Sequence, residues 1–149
     1  MHEDYKKILV GVDGSKESEK AFEKALSIAK KNDAKLVVVH VVDSLPFIIA
    51  ETPYVETLNE ATERNAKDLL ASFEHKAKEI GYSNIEFLIE SGSPKGKIVH
   101  DIVPQLGIDL VVCGATGTNA FERMLIGSVS EYIVRHAKCD VLISRLNDK

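Results

Sequence analysis

The chain has 149 residues, 44% of them hydrophobic and 28% charged, and a formal net charge of −4. That length fits one domain, residues 1–149, with a real core, and the mixture is ordinary for a soluble globular protein. The negative balance gives no broad cationic surface for nucleic acid, no run approaches the ~18 apolar residues of a membrane span, and Met1-His2-Glu3-Asp4-Tyr5 lacks a signal peptide's apolar region, so a cytoplasmic protein is expected.

Ile8–Val12 is a continuous apolar run, read as the first strand, with Gly11-Val12-Asp13-Gly14-Ser15 at its end. Ala21, Phe22, Ala25, Leu26, Ile28 and Ala29 recur at helical spacing, and that stripe ends near Asn32-Asp33. Leu36–Val42 is the second strand; His40 within it reads as a hydrogen-bonded core residue. The long connection from Asp43 to Glu56 carries Pro46, Pro53 and Phe47-Ile48-Ile49, and suits either a lid or a segment packed on a sheet edge. Leu58, Ala66, Leu69, Leu70, Phe73, Ala77 and Ile80 make a second helical stripe, closed by Gly81. Ile85–Ile89 is the third strand. Ser93-Pro94 then offers a capping hydroxyl and a proline for the first helical position, ahead of the stripe Ile98, Val99, Ile102 and Val103. Leu110–Cys113 is the fourth strand and ends at Gly114. Ile126, Val129, Ile133 and Val134 mark the fourth helix, read over Val129 to Ala137, and Val141–Ile143 is the fifth strand. Cys113 and Cys139 form no Cys-x-x-Cys and no ligand cluster, and read as buried reduced thiols.

Strands and helices alternate throughout, and the strands are nearly unbroken Val, Ile and Leu. Burial on both faces of a parallel sheet requires that composition. The expected fold is a doubly wound, Rossmann-like α/β sheet of five strands. Right-handed crossovers permit the order 3-2-1-4-5. Ligands of such sheets collect beyond the carboxyl ends of the strands where the order reverses. Two loops suit that crevice: the one from Gly11 to Ser15 and the one beginning at Gly114.

The second loop is the more informative. Gly114-Ala115-Thr116-Gly117 is followed, after nine residues, by Gly127-Ser128 at the start of a helix. Glycines let a backbone approach a ligand and admit positive φ. A helix start offers unpaired amides and a favourable dipole, so the pattern fits a phosphate cradle better than a plain turn. In that cradle Gly114, Gly117, Ser128 and Val129 would present amides, and the Ser128 hydroxyl a further donor. Asp13 is either a ligand contact or the N-cap of the first helix, with Ser15 as the competing cap.

These stretches together resemble the universal stress protein family, in its ATP-holding branch. The resemblance rests on Ile8 to Ser15, on Val37-Val38-Val39-His40-Val41-Val42, on the glycine pattern ending in Ser128, and on Cys139 to Arg145. It implies the same strand order and an adenine nucleotide, ATP with Mg or Mn. The implied nucleotide contacts are Gly11, Val12, Asp13, Val41, Gly114, Ala115, Thr116, Gly117, Thr118, Asn119, Gly127, Ser128, Val129 and Ser130. Among these, Val41 would read the adenine edge through its backbone, Gly11 would flank the base, and Asp13 would lie near ribose and base.

Other chemistry is missing. The chain has no Gly-x-x-x-x-Gly-Lys-Ser/Thr, so no P-loop lysine reaches terminal phosphates. Arg123 lies in the glycine loop beside Glu122 and reads as a solvated charge. His75, His100 and His136 fall on separate helices without metal-ligand spacing. A divalent ion would arrive with the nucleotide, held by phosphate oxygens and by Asp13 or Ser128. Binding is therefore expected to exceed hydrolysis. The leading reading is a nucleotide-dependent regulatory homodimer in the stress response. The alternatives are a slow ATP hydrolase and an interaction module that holds no nucleotide. The dimer would form through the last strand, Asp140 to Arg145, whose outer edge carries no proline and only peripheral charge.

Overall fold

The computed structural model describes residues 4–42, 55–115 and 127–145. The strands are β1 (Lys7–Gly11), β2 (Lys35–Val42), β3 (Ile85–Ser91), β4 (Leu110–Gly114) and β5 (Asp140–Ser144). They form a parallel sheet in the order β3-β2-β1-β4-β5, as expected. In register, Ile8 stands between Leu36 and Leu110.

The period-two geometry of a strand divides the apolar runs between two cores. Ile8, Val10, Leu36, Val38, Leu110 and Val112 face α1 (Lys16–Asn32) and α2 (Val55–Ile80). Leu9, Val37, Val39, Val111 and Cys113 face the opposite layer. That layer holds α3 (Pro94–Gly96), a π-helical stretch (Lys97–Ile102), α4 (Val103–Leu106) and α5 (Ser128–His136). The rings of Phe22 and Phe73 meet at 4.8 Å and join α1 to α2 over the first core.

Local chemistry sets the helix ends. Ser15 is the N-cap of α1, its hydroxyl accepting the Ser18 N–H at 3.1 Å, while Glu17 and Glu19 complement the dipole of the first turn. Asp33 closes that helix at φ 53°, and Gly107 closes α4 at φ 66°.

Four expectations need correction. Ser93 occupies the N-cap of α3, but its hydroxyl makes no capping bond; its carbonyl instead accepts the Lys97 N–H at 2.8 Å. The third helix is not regular, because the Val103 N–H reaches the Ile98 carbonyl five residues back. Pro104 has no N–H to give and its ring crowds the preceding turn, so the widened π turn relieves that conflict. The helix α2 begins at Val55, so the long connection yields its last two residues to helix; residues 43–54, including Phe47-Ile48-Ile49, lie outside the described residues. Cys113 is buried as expected, whereas Cys139 is only half-buried; both are free.

Candidate functional site

The carboxyl ends of β1, β2 and β4 and the start of α5 enclose a cavity of about 590 Å³. It opens where the chain leaves β1 for β2 on one side and reaches β4 on the other, at the reversal of strand order.

The loop after β1 is held by a closed set of short bonds. The Val12 N–H donates to the Val39 carbonyl at 2.9 Å, extending the β1–β2 ladder by one residue. One oxygen of Asp13 accepts the Ser15 N–H at 2.9 Å, and the Asp13 N–H donates to the Ser18 hydroxyl at 3.3 Å. The Ser18 hydroxyl in turn donates to the Ser15 carbonyl at 3.0 Å. Ser15 is therefore the cap and Asp13 the Asx-turn residue beneath it, which answers the capping question. The second Asp13 oxygen is left on an exposed residue that lines the cavity.

The first turn of α5 also lines the cavity. Gly127 is its N-cap, and the Glu131 N–H donating to the Gly127 carbonyl at 2.9 Å is the first intrahelical bond. The amides of Ser128, Val129 and Ser130 precede it and have no acceptor in the helix ladder. The Ser130 hydroxyl is committed elsewhere, donating to the Gly114 carbonyl and tying α5 to the end of β4. The cavity lining thus carries amide and hydroxyl donors from α5 and a carboxylate from the loop after β1.

Of the anticipated contacts, Gly11, Val12, Asp13, Val41, Gly114, Gly127, Ser128, Val129 and Ser130 line the cavity. Ala115 is buried behind it, its N–H given to the Ser144 carbonyl at 2.9 Å and its carbonyl accepting the Gly127 N–H at 2.6 Å. Thr116, Gly117, Thr118, Asn119, Glu122, Arg123 and Ile126 lie outside the described residues.

The glycines do different work from that read in the sequence. Gly127 has φ −64° and ψ 162°, an extended conformation open to any residue, so positive φ is not its reason. Gly114 is required by packing: a Cβ there would stand 2.7 Å from the Glu17 Cβ in the first turn of α1. Gly14, at φ 85°, is the glycine in the β1 loop that the backbone demands.

Several cavity residues escaped the sequence reading. His40 is half-buried rather than core, and it lines the cavity with its Nδ1 2.8 Å from the Val12 carbonyl oxygen. A polar residue near the end of an apolar strand was the available signal. Pro94 and Ile98 enter from the third helix, and Thr62 from α2, without any local signature. Cys113 also lines the cavity; burial pushes its thiol up to about 11. No group of three His, Cys, Asp or Glu among the described residues is placed to hold a metal ion, and no helix among them is long and apolar enough to cross a membrane.

Residues 4–145 match the universal stress protein family. A protein of Staphylococcus haemolyticus named for that family is 45% identical over 144 residues, covering 97% of this chain and 87% of its own. Among solved structures, the universal stress protein UspA from Lactobacillus plantarum is 33% identical, covers 97% of this chain and 100% of its own, and superposes with a TM-score of 0.83. A universal stress protein family member from Arabidopsis thaliana, solved with AMP bound, is 27% identical over 95% of this chain and 92% of its own, with a TM-score of 0.69.

Proposed function

The chain belongs to the universal stress protein family, and from that premise we propose that it binds an adenine nucleotide in the cavity and acts as a nucleotide-dependent regulatory homodimer of the cytoplasm. The observation that carries this reading is the polarity of the cavity. The amides of Ser128, Val129 and Ser130 and the Ser128 hydroxyl suit phosphate oxygens at a helix N-terminus. Asp13, in the loop after β1, suits the hydroxyls and amines of a nucleoside. The AMP held by the Arabidopsis relative supports the same ligand class.

We take ATP as the physiological ligand. No lysine or arginine among the described residues lines the cavity, so triphosphate charge would fall to backbone amides and to Mg or Mn. Asp13 and the Ser128 hydroxyl are the oxygen ligands available to such an ion, which would neutralise the phosphates. The lack of a P-loop lysine in the sequence also bears on rate, because phosphoryl transfer depends on positioning and charge neutralisation. Turnover is expected below ~1 per second, under the usual kinase range, in protein freed of contaminating ATPases.

The direct test is to denature freshly purified protein, identify the released small molecules by mass, and titrate the emptied protein with ATP and Mg in a calorimeter. An adenine nucleotide in the supernatant and saturable heat are expected. Neither appearing would overturn the reading and leave an interaction module in its place.

A further inference from the structure

His40 stands beside Val41 near the end of β2, and lines the cavity. Its Nδ1 lies 2.8 Å from the Val12 carbonyl oxygen. A carbonyl oxygen only accepts, so Nδ1 carries a hydrogen and donates it. In the neutral ring this leaves Nε2 as a lone-pair acceptor. Nε2 has no hydrogen-bond partner among the described residues, and none of their buried side-chain nitrogens or oxygens lacks one. Nε2 is therefore open rather than entombed, on a residue of the cavity wall.

Val12 is gripped twice by β2, its N–H by the Val39 carbonyl at 2.9 Å and its carbonyl by the His40 ring. Asp13 follows directly, with one carboxylate oxygen spent on the Ser15 N–H. The ends of β1 and β2 thus bring two acceptors to the same end of the cavity. Neither welcomes a phosphate oxygen, which is itself an acceptor. Both match an N–H or O–H donor.

We propose that His40 is a recognition residue of the cavity, its Nε2 accepting a hydrogen bond from a donor on the nucleoside part of the ligand while Nδ1 fixes ring and tautomer. The proposal rests on the nucleotide reading above. Two groups of an adenine nucleotide carry the required chemistry, the exocyclic amine of the base and the hydroxyls of the ribose.

Nitrogen NMR of the histidine rings in the unmodified protein tests this directly. The His40 ring should show the Nδ1–H tautomer, and saturation with AMP should shift its Nε2 resonance in the direction of a hydrogen-bonded acceptor. An Nε2 resonance that AMP leaves in place overturns the proposal. The second arm is His40→Asn, whose side-chain N–H can still reach the Val12 carbonyl but which has nothing at the Nε2 position. AMP should bind this variant about tenfold more weakly, as expected for the loss of one hydrogen bond. Comparing AMP with IMP removes the amine, and comparing it with 2′-deoxy and 3′-deoxy AMP removes each hydroxyl. The wild type should discriminate in one of these comparisons, and His40→Asn should reduce that preference to within about twofold. Collapse of the IMP comparison assigns the amine, and collapse of a deoxy comparison assigns that hydroxyl. Unchanged AMP affinity, or unchanged preferences, overturns the role of His40 while leaving the nucleotide reading intact. A wild type that binds none of these nucleotides removes both.

Discussion

A methyl group added at Gly114 would lie 2.7 Å from the Cβ of Glu17 and 3.1 Å from its carbonyl carbon, contacts that backbone must move to relieve. Gly114→Ala is therefore expected to lower stability by about 1–3 kcal/mol in urea denaturation, the range for overpacking a filled core. The same change at Gly11 meets only the Ile98 Cδ1 at 3.5 Å, an ordinary contact, and should stay within about 0.5 kcal/mol of the parent. In the sequence these glycines look alike, because a residue without a side chain says nothing about which neighbour needs the space. Glu17 is distant along the chain, and only the packing of α1 on β4 names it. Cys113 offers a second test at this scale. Burial lifts its thiol from the ordinary 9.0 to about 11, so the folded protein keeps a proton that the unfolded chain gives up. Its contribution is whole below pH 9 and disappears as pH rises through the folded value near 11. Two pH units correspond to about 3 kcal/mol. Stability curves at pH 8 and 11 should therefore fall together less steeply for Cys113→Ala than for the parent, by roughly that amount; identical slopes would contradict the assignment.

The helix α5 separates what a glycine permits from what it requires. At φ −64° and ψ 162°, the Gly127 backbone suits valine, so Gly127→Val should fold with its bond to Ala115 intact. Gly127 nevertheless lines the cavity next to Ser128 and Val129, so a valine there should lower nucleotide affinity at least about tenfold by calorimetry. Undiminished binding by a folded variant would remove α5 from the site. The elements themselves were largely legible, because unbroken apolar runs and helical stripes leave few alternatives. The third helix shows the limit. Ile98, Val99, Ile102 and Val103 are all buried, as a regular stripe predicts, yet the turn that carries them is π-helical. Pro104 was the visible warning, since a proline inside a helical stripe forces the preceding turn to change. The part of the site made by loops was legible through its glycines and Asp13. The part made by side chains arriving from other elements, His40, Thr62 and Ile98, depends on how the layers stack, and no local pattern encodes that.

Across the whole molecule, β5 is an edge strand whose Val141, Leu142 and Ile143 are half-buried. The Ser144 carbonyl accepts the Ala115 N–H, so Ser144 turns its backbone groups toward β4. Alternation along a strand then turns those of Leu142 the same way and those of Val141 and Ile143 outward. Leu142→Pro would break the sheet and should unfold the protein. Val141→Pro removes an outward N–H from an edge, where proline is tolerated, and is the substitution that should dissolve the proposed homodimer. Sedimentation at micromolar concentration should give the parent about twice the 16.4 kDa chain mass and the Val141→Pro variant that mass itself. A parent that sediments as a single chain refutes the dimer. The position of β1 has a different consequence, which concerns time. It is made first and placed in the middle, with Ile8 paired to Leu36 on one side and to Leu110 on the other. On a ribosome, β2 and β3 can join it early, but its second edge must wait for β4, several seconds at about 5–20 residues per second. Through that interval Ile8, Leu9 and Val10 face outward along an unpaired edge, the kind that recruits chaperones or other nascent chains. The cavity needs both edges of β1 and the start of α5, so a ligand can stabilise the chain only after α5 has been made.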